Sequence, residues 1–238
     1  SNCGWHNSRE LIRNTFGRQG VAMAWDFVET NAFSQSTGNW TACIEWGVKV
    51  LKRLPAIANS SITQMDAMKL NHDQGSVSFC TDPPYYDNIC YADLSDYFFV
   101  WIKRHLKNYY PELFSTILTP KSDELVADKY RHNSATDAAK FFLNGMKEVI
   151  GRMATQNNPE SPVCFFYAFK QQESGTDGKS STGWSTFLDA TIQSGFNIVG
   201  TIPMRTEQST KLIGKNANIL STSAVLVCRK RSDDAPSV

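Results

Sequence analysis

No stretch of this 238-residue sequence approaches the roughly 20 apolar residues that a membrane-spanning helix requires. The N-terminal residues contain no basic segment followed by an apolar one, so nothing there reads as a signal peptide. Charge of one sign is missing too, because Lys+Arg 24 against Asp+Glu 23 leaves a net +1. That balance neither argues for nucleic acid nor excludes it, because a local basic face can be offset elsewhere. The six cysteines are scattered without a C-x-x-C pair, which removes zinc-ribbon and thioredoxin-like readings. Cys164 and Cys228 lie in apolar stretches and read as buried reduced thiols, so the expected compartment is the cytoplasm. Cys3 and His6 would make half a zinc site whose other two ligands are absent, so no metal is expected.

What remains is an ordinary globular composition, 41% hydrophobic and 20% charged, long enough to bury a substantial core. Residues 1–58 read as a helical lead-in. Within it, Asn39-Trp40 opens a helical pattern through Leu54, with Ile44, Val48 and Leu51 in register and Pro55 as the stop. From residue 59 to 238 the grammar changes. Ser61-Ile62-Thr63-Gln64 and Ser76-Val77-Ser78-Phe79-Cys80 are short strand patterns. Helical periodicity follows over Leu94 to Leu106 and again from Thr136 to Met153, where Ala138, Phe142, Met146, Val149 and Met153 share a stripe. Val163 to Phe169 is a continuous apolar run, as in a strand buried on both faces. A helix from Trp184 to Gln193, capped by Gly195, then leads into two strands, Phe196 to Thr201 and Ser223 to Cys228. Alternating strands and helices predict an α/β fold with a mostly parallel sheet, helices on both faces and an antiparallel edge from the last pair.

The chemistry concentrates in Thr81-Asp82-Pro83-Pro84-Tyr85-Tyr86-Asp87, directly after a strand pattern. Ligands of open α/β sheets bind at the carboxyl ends of strands. An exocyclic amine on a nucleobase is a poor nucleophile, because its lone pair is delocalised into the ring. A carboxylate from Asp82 and a carbonyl in the Pro83-Pro84 turn can accept both amine hydrogens and shift that lone pair towards attack. Two prolines fix φ and aim those acceptors in advance. Tyr85, with Tyr86 beside it, can stack on a base taken out of the duplex. The bland reading of the same residues is a rigid strand-ending turn with a packed tyrosine.

Asp-Pro-Pro-Tyr after a strand resembles the catalytic motif of amino-methyltransferases that modify adenine N6 or cytosine N4. Over nearly its full length the chain is similar to large prokaryotic DNA methylases, described as adenine-specific, that begin with a domain of unknown function. The resemblance rests on Phe16-Gly17-Arg18-Gln19, Trp25-Asp26-Phe27, Asp82 to Asp96, Leu118-Thr119-Pro120-Lys121, Tyr167-Ala168-Phe169-Lys170 and Pro203-Met204-Arg205-Thr206-Glu207. It implies a partial Rossmann-like class I methyltransferase sheet, S-adenosylmethionine as cofactor and DNA as partner. By the same resemblance Asp82, Pro83, Pro84 and Tyr85 handle the target amine, while Asp66 and Ala67 meet the cofactor's adenine. Asp66 could equally be a helix N-cap. Tyr86, Lys121, Lys170 and Arg205 are the expected substrate contacts, with Arg131, Lys211 and Lys215 as further cations for phosphates. Such enzymes need a glycine-rich turn after their first strand, and none is present. The resemblance places it in an upstream part of the same polypeptide, so the chain is expected to be the C-terminal portion of a longer enzyme that binds cofactor weakly by itself. Gly175-Thr176-Asp177-Gly178-Lys179-Ser180 is not a phosphate loop, since position 173 holds Glu173 where that loop needs glycine. A nucleic-acid-binding module without activity, and methylation of cytosine N4 or of a protein amide nitrogen, are the alternatives.

Overall fold

In a computed structural model, the described residues are 4–6, 8, 11–13, 31–35, 39–55, 57–73, 75–86, 89–168, 182–205 and 222–232. The chain divides into two compact units, Ser1–Gln64 and Met65–Val238.

The first unit holds an antiparallel pair, β1 (Gly4–His6) and β2 (Leu11–Arg13), and helix α1 (Trp40–Arg53). The Asn39 side chain accepts from the Ala42 amide at 2.8 Å, satisfying one of the first-turn donors that a helix leaves unpaired. The β1–β2 pair falls in the stretch expected from the sequence as a helical lead-in.

The second unit is built on four strands in the order β3-β4-β6-β5. They are β3 (Cys80–Thr81), β4 (Val163–Ala168), β5 (Phe196–Arg205) and β6 (Thr222–Lys230). β3 pairs parallel with β4, whereas β6 runs antiparallel to both β4 and β5. The sheet is therefore mixed, and its antiparallel strand lies inside rather than at the expected edge. The reason is compositional. Ala224, Val225, Leu226 and Cys228 of β6 are all buried, as an interior strand requires. β5 contains Pro203, which cannot donate to a ladder, and exposes Val199, Ile202 and Met204, so it takes the edge. Ser61 to Gln64, expected as a strand, forms none, and of the second expected strand, Ser76 to Cys80, only Cys80 pairs in the sheet, continued by Thr81. Without long partners, their local β pattern is not enough.

Three helices accompany the sheet: α2 (Tyr91–Leu106), α3 (Ala135–Gln156) and α4 (Thr182–Gln193). Ser134 caps α3, its hydroxyl accepting from the Asp137 amide at 3.1 Å. Ala138, Phe142, Met146, Val149, Ile150 and Met153 of α3 are buried together with Val163, Phe165 and Tyr167 of β4, Phe187 of α4 and Leu226 of β6. Gly145 sits mid-helix, where glycine is unfavourable by about 1 kcal/mol against alanine. A Cβ there would collide with Leu125 Cδ2, so the glycine admits the Leu125 side chain against the helix.

The end of α3 fastens the approach to β3. Gln156 Oε1 accepts from the His72 amide at 2.7 Å, and its Nε2 donates to the Leu70 carbonyl at 3.1 Å. Asn157 Oδ1 accepts from the Phe79 amide at 3.3 Å. Both side chains are buried and hydrogen-bonded, as buried polar groups should be. The described residues between 70 and 79, which form almost no regular structure, are thereby held in line for the turn that follows.

Candidate functional site at the end of strand β3

The turn begins where β3 stops. Pro83 is buried and Pro84 half-buried, which anchors the bend, while Asp82 is exposed. The Tyr85 hydroxyl donates to Asp82 Oδ1 at 2.6 Å, so the carboxylate is oriented from within its own turn. Burial first, and then this hydrogen bond, hold the Tyr85 hydroxyl protonated well above the ordinary tyrosine range. The Tyr85 ring meets Tyr167 of β4 edge to face, with centroids 5.4 Å apart. Tyr167 in turn stacks on Phe187 at 4.5 Å and sends its hydroxyl to the Gly183 carbonyl at 3.3 Å.

Tyr86 has a different environment from the one its sequence neighbourhood suggested. Its φ is +31°, in the left-handed region where a side chain is strained by about 1–3 kcal/mol. Its ring packs edge to face on Phe142, 5.3 Å between centroids, and its carbonyl accepts from the Ala127 amide at 2.8 Å. A Cβ on Gly183 would stand 2.8 Å from the Tyr86 Cβ. Tyr86 thus anchors the turn against the core. Asp87 lies outside the described residues.

Beyond the turn, the start of α2 comes close to Asp82. Burial, followed by the Asp82 and Glu124 carboxylates, pushes the Tyr91 hydroxyl above the usual tyrosine range. Glu124 Oε1 accepts from the Ala92 amide at 3.0 Å, capping α2 from 32 residues away. Arg131 gathers the acids around it, with Asp93 and Glu124 each at 2.6 Å and Asp128 at 3.6 Å. Burial works against its charge, yet the hydrogen bonds to Glu124 and Asp93 keep it more firmly protonated than an ordinary arginine. Tyr91, Glu124, Gln156 and Asn157 all bear on the site, and none was singled out by sequence. The one signal for the last pair was two amides closing a buried helical stripe, with Gln156 in step with Val149 and Met153.

Of the expected cations, the two whose side chains are described, Lys121 and Arg131, are paired with carboxylates. Lys121 pairs with Asp96 at 2.7 Å and donates to the Thr119 carbonyl at 3.1 Å. Arg131 is held by its three carboxylates. Arg205 ends β5, with its side chain outside the described residues, as are Lys170, Lys211 and Lys215 entirely. The Gly175 to Ser180 loop also lies outside them.

No family model, curated protein or solved structure matches this chain. Function therefore has to be argued from the residues themselves.

The described residues do not fit a complete S-adenosylmethionine site. Asp66 caps a single 3₁₀ turn, Ala67–Lys69, its Oδ1 accepting from the Met68 amide at 2.9 Å and its Oδ2 lying 3.5 Å from Lys69. Ala67 is the first residue of that turn. The N-cap alternative for Asp66 is thus realised. A cleft of about 570 Å³ lined by Thr155, Ser194, Gly195, Lys230 and Arg231 lies towards the opposite end of the sheet from Asp82. Among the described residues, no group of three His, Cys, Asp or Glu side chains would hold a metal, and no helix is long and apolar enough to cross a membrane.

Proposed function

We propose that this chain carries the target-base half of an S-adenosylmethionine-dependent methyltransferase that modifies the N6 amine of adenine in DNA. One observation carries the reading: an exposed Asp82 carboxylate at the carboxyl end of β3, on a bend anchored by buried Pro83 and oriented by Tyr85. A carboxylate offers about four lone-pair sites. With Tyr85 holding Oδ1, Oδ2 is left to accept one hydrogen of an incoming amine, and a carbonyl of the Pro83-Pro84 turn accepts the other. Withdrawing both hydrogens along fixed directions raises the nitrogen lone pair out of conjugation without reorganising the protein. The Tyr85 ring supplies stacking for an extruded base, a contribution of about 1–3 kcal/mol that offsets much of the cost of unstacking.

The sheet is compatible with this reading. β3 and β4 run parallel, α2 and α3 lie in the connection between them, and the turn lies where α/β sheets bind ligands. A partial Rossmann-like class I methyltransferase sheet, with one antiparallel strand inside it, is the arrangement we propose. The cofactor's role is to supply a methyl group on a sulfonium, and the proposal assigns its glycine-rich cradle to an upstream part of the same polypeptide. Asp66, already engaged as a cap, is given no step.

The capped Asp66 also favours a second reading, a nucleic-acid-binding module with no activity of its own. Nucleoside mass spectrometry separates the two. Duplex DNA incubated with full-length protein and isotopically labelled cofactor should yield labelled N6-methyladenine. Label in N4-methylcytosine or in protein would move the activity to the other amines this turn suits, and no label at all would leave the binding module.

A further inference from the structure

A nucleic acid needs cations to meet its phosphates, yet Lys121 and Arg131 are committed to carboxylates of their own chain. Another surface meets the requirement. Between residues 97 and 110 the sequence contains Lys103, Arg104 and Lys107 and no carboxylate. The same stretch carries six aromatic side chains, Tyr97, Phe98, Phe99, Trp101, Tyr109 and Tyr110.

Helix α2 sorts them. Its covered side faces the 114–121 segment, where Phe99 meets Phe114 with centroids 5.4 Å apart and the Thr119 amide donates to Asp96 at 2.9 Å. Tyr97, Trp101 and Arg104 follow one another at i, i+4 and i+7, the spacing of a single helical stripe. Trp101 is 55% exposed. The Arg104 guanidinium lies over the Trp101 ring, 5.6 Å from its centroid, which gives a flat aromatic surface with a cation already seated on it. Past the helix end, Tyr109 and Tyr110 are both exposed.

We infer that this stripe of α2 is a docking surface for a nucleic-acid strand, with Trp101 stacking on a base and Arg104 and Lys107 meeting phosphates. The inference rests on the proposed function for its choice of partner, and its partner follows from the charge: two exposed cations, Arg104 and Lys107, in a stretch without an acid call for a polyanion, and exposed aromatic rings suit bases over a protein's acidic side chains. The chain links it to the site, because α2 begins at Tyr91, nine residues after Asp82. At about 1.5 Å per residue, Arg104 stands roughly 20 Å along the axis from Tyr91. That span matches about six nucleotides of one duplex strand at 3.4 Å each. A base delivered to Asp82 would leave its own strand running along α2 to this platform.

Fluorescence anisotropy of a labelled single-stranded 20-mer, titrated with this chain over a salt series, tests the inference. Trp101→Ala should weaken binding about ten-fold or more. Arg104→Gln with Lys107→Gln should lower the slope of log affinity against log salt by about 1.4, two phosphates at roughly 0.7 each. Circular dichroism should be unchanged in both, since the positions are exposed. The titration needs no cofactor, so it reads the surface whether or not methyl transfer is found. Parent-like affinity and salt slope in the α2 variants would overturn it. So would failure of the chain to bind any oligonucleotide while Trp101→Ala abolishes self-association in sedimentation, which would make the stripe a contact between copies of the protein.

Discussion

Tyr85 and Asp82, three residues apart, are joined by a 2.6 Å hydrogen bond from the phenol to the carboxylate. The contact fixes which carboxylate oxygen remains for a ligand, and it couples the stacking ring to the acceptor. Tyr85→Phe keeps the ring and releases the carboxylate. Tyr85→Ala removes both. In full-length protein, methyl transfer should fall several-fold in the phenylalanine variant. In the alanine variant it should fall a further ten- to hundred-fold, the equivalent of about 1–3 kcal/mol of stacking. Single-turnover transfer rates measure the difference. Equal rates in the two variants would show that the ring does not hold the base.

Tyr86 makes a separate prediction about stability. Its strained backbone is held by Phe142 and by the Ala127 amide, and Gly183 leaves room for its Cβ. Phe142→Ala should destabilise the chain by about 3–5 kcal/mol, the usual range for emptying a buried phenylalanine site. Gly183→Ala should destabilise it by less and also shift the turn, because the added methyl group would meet Tyr86 Cβ. Urea unfolding checks both.

Around Arg131 the expectation is set by charge. Replacing Arg131 with alanine leaves Asp93, Glu124 and Asp128 facing one another without their cation. Breaking a buried ion pair costs about 3–5 kcal/mol, and partial exposure reduces that here to about 2. Lys121→Ala breaks one pair rather than three and should cost clearly less in the same urea titration.

Asp96 gives a pH dependence with a definite sign. The hydrogen bonds from Lys121 and Thr119 hold its carboxyl at about 2, below the ordinary aspartate value. A depressed carboxyl stabilises the fold at pH above its unfolded value of about 4, and that stabilisation disappears as pH falls towards 2. The difference in thermal midpoint between the parent and Asp96→Asn should therefore be constant near neutrality and shrink between about pH 4 and 2. A difference that is independent of pH down to 2 would remove the tether.

Much of this architecture could be read in advance, where the signal is local. Asn39 as cap, the α3 stripe from Ala138 to Met153 and the apolar run of β4 each depend on neighbours within a few turns. The position of β6 is different. Its burial between β4 and β5 is a long-range pairing, and only Pro203 in its neighbour hinted at which strand would be the edge. The Asp82 turn was legible because proline restricts the backbone whatever surrounds it. The commitment of Lys121 and Arg131 to carboxylates 25 and 38 residues back, Asp96 and Asp93, was not, because it is set by the chain's return path. The packing of Tyr86 was not legible for the same reason: Phe142, its partner, lies on a helix still to come.

The central claim is that the Asp82 carboxylate accepts hydrogens from a nucleobase amine. Asp82 is exposed, so Asp82→Ala should leave the fold intact. With full-length protein, labelled S-adenosylmethionine and duplex DNA, the predicted result is an unchanged thermal midpoint together with loss of label from N6-methyladenine by at least about 100-fold, the lower end of what removing a preorganised polar group costs. Undiminished transfer by a folded Asp82→Ala protein would contradict the account.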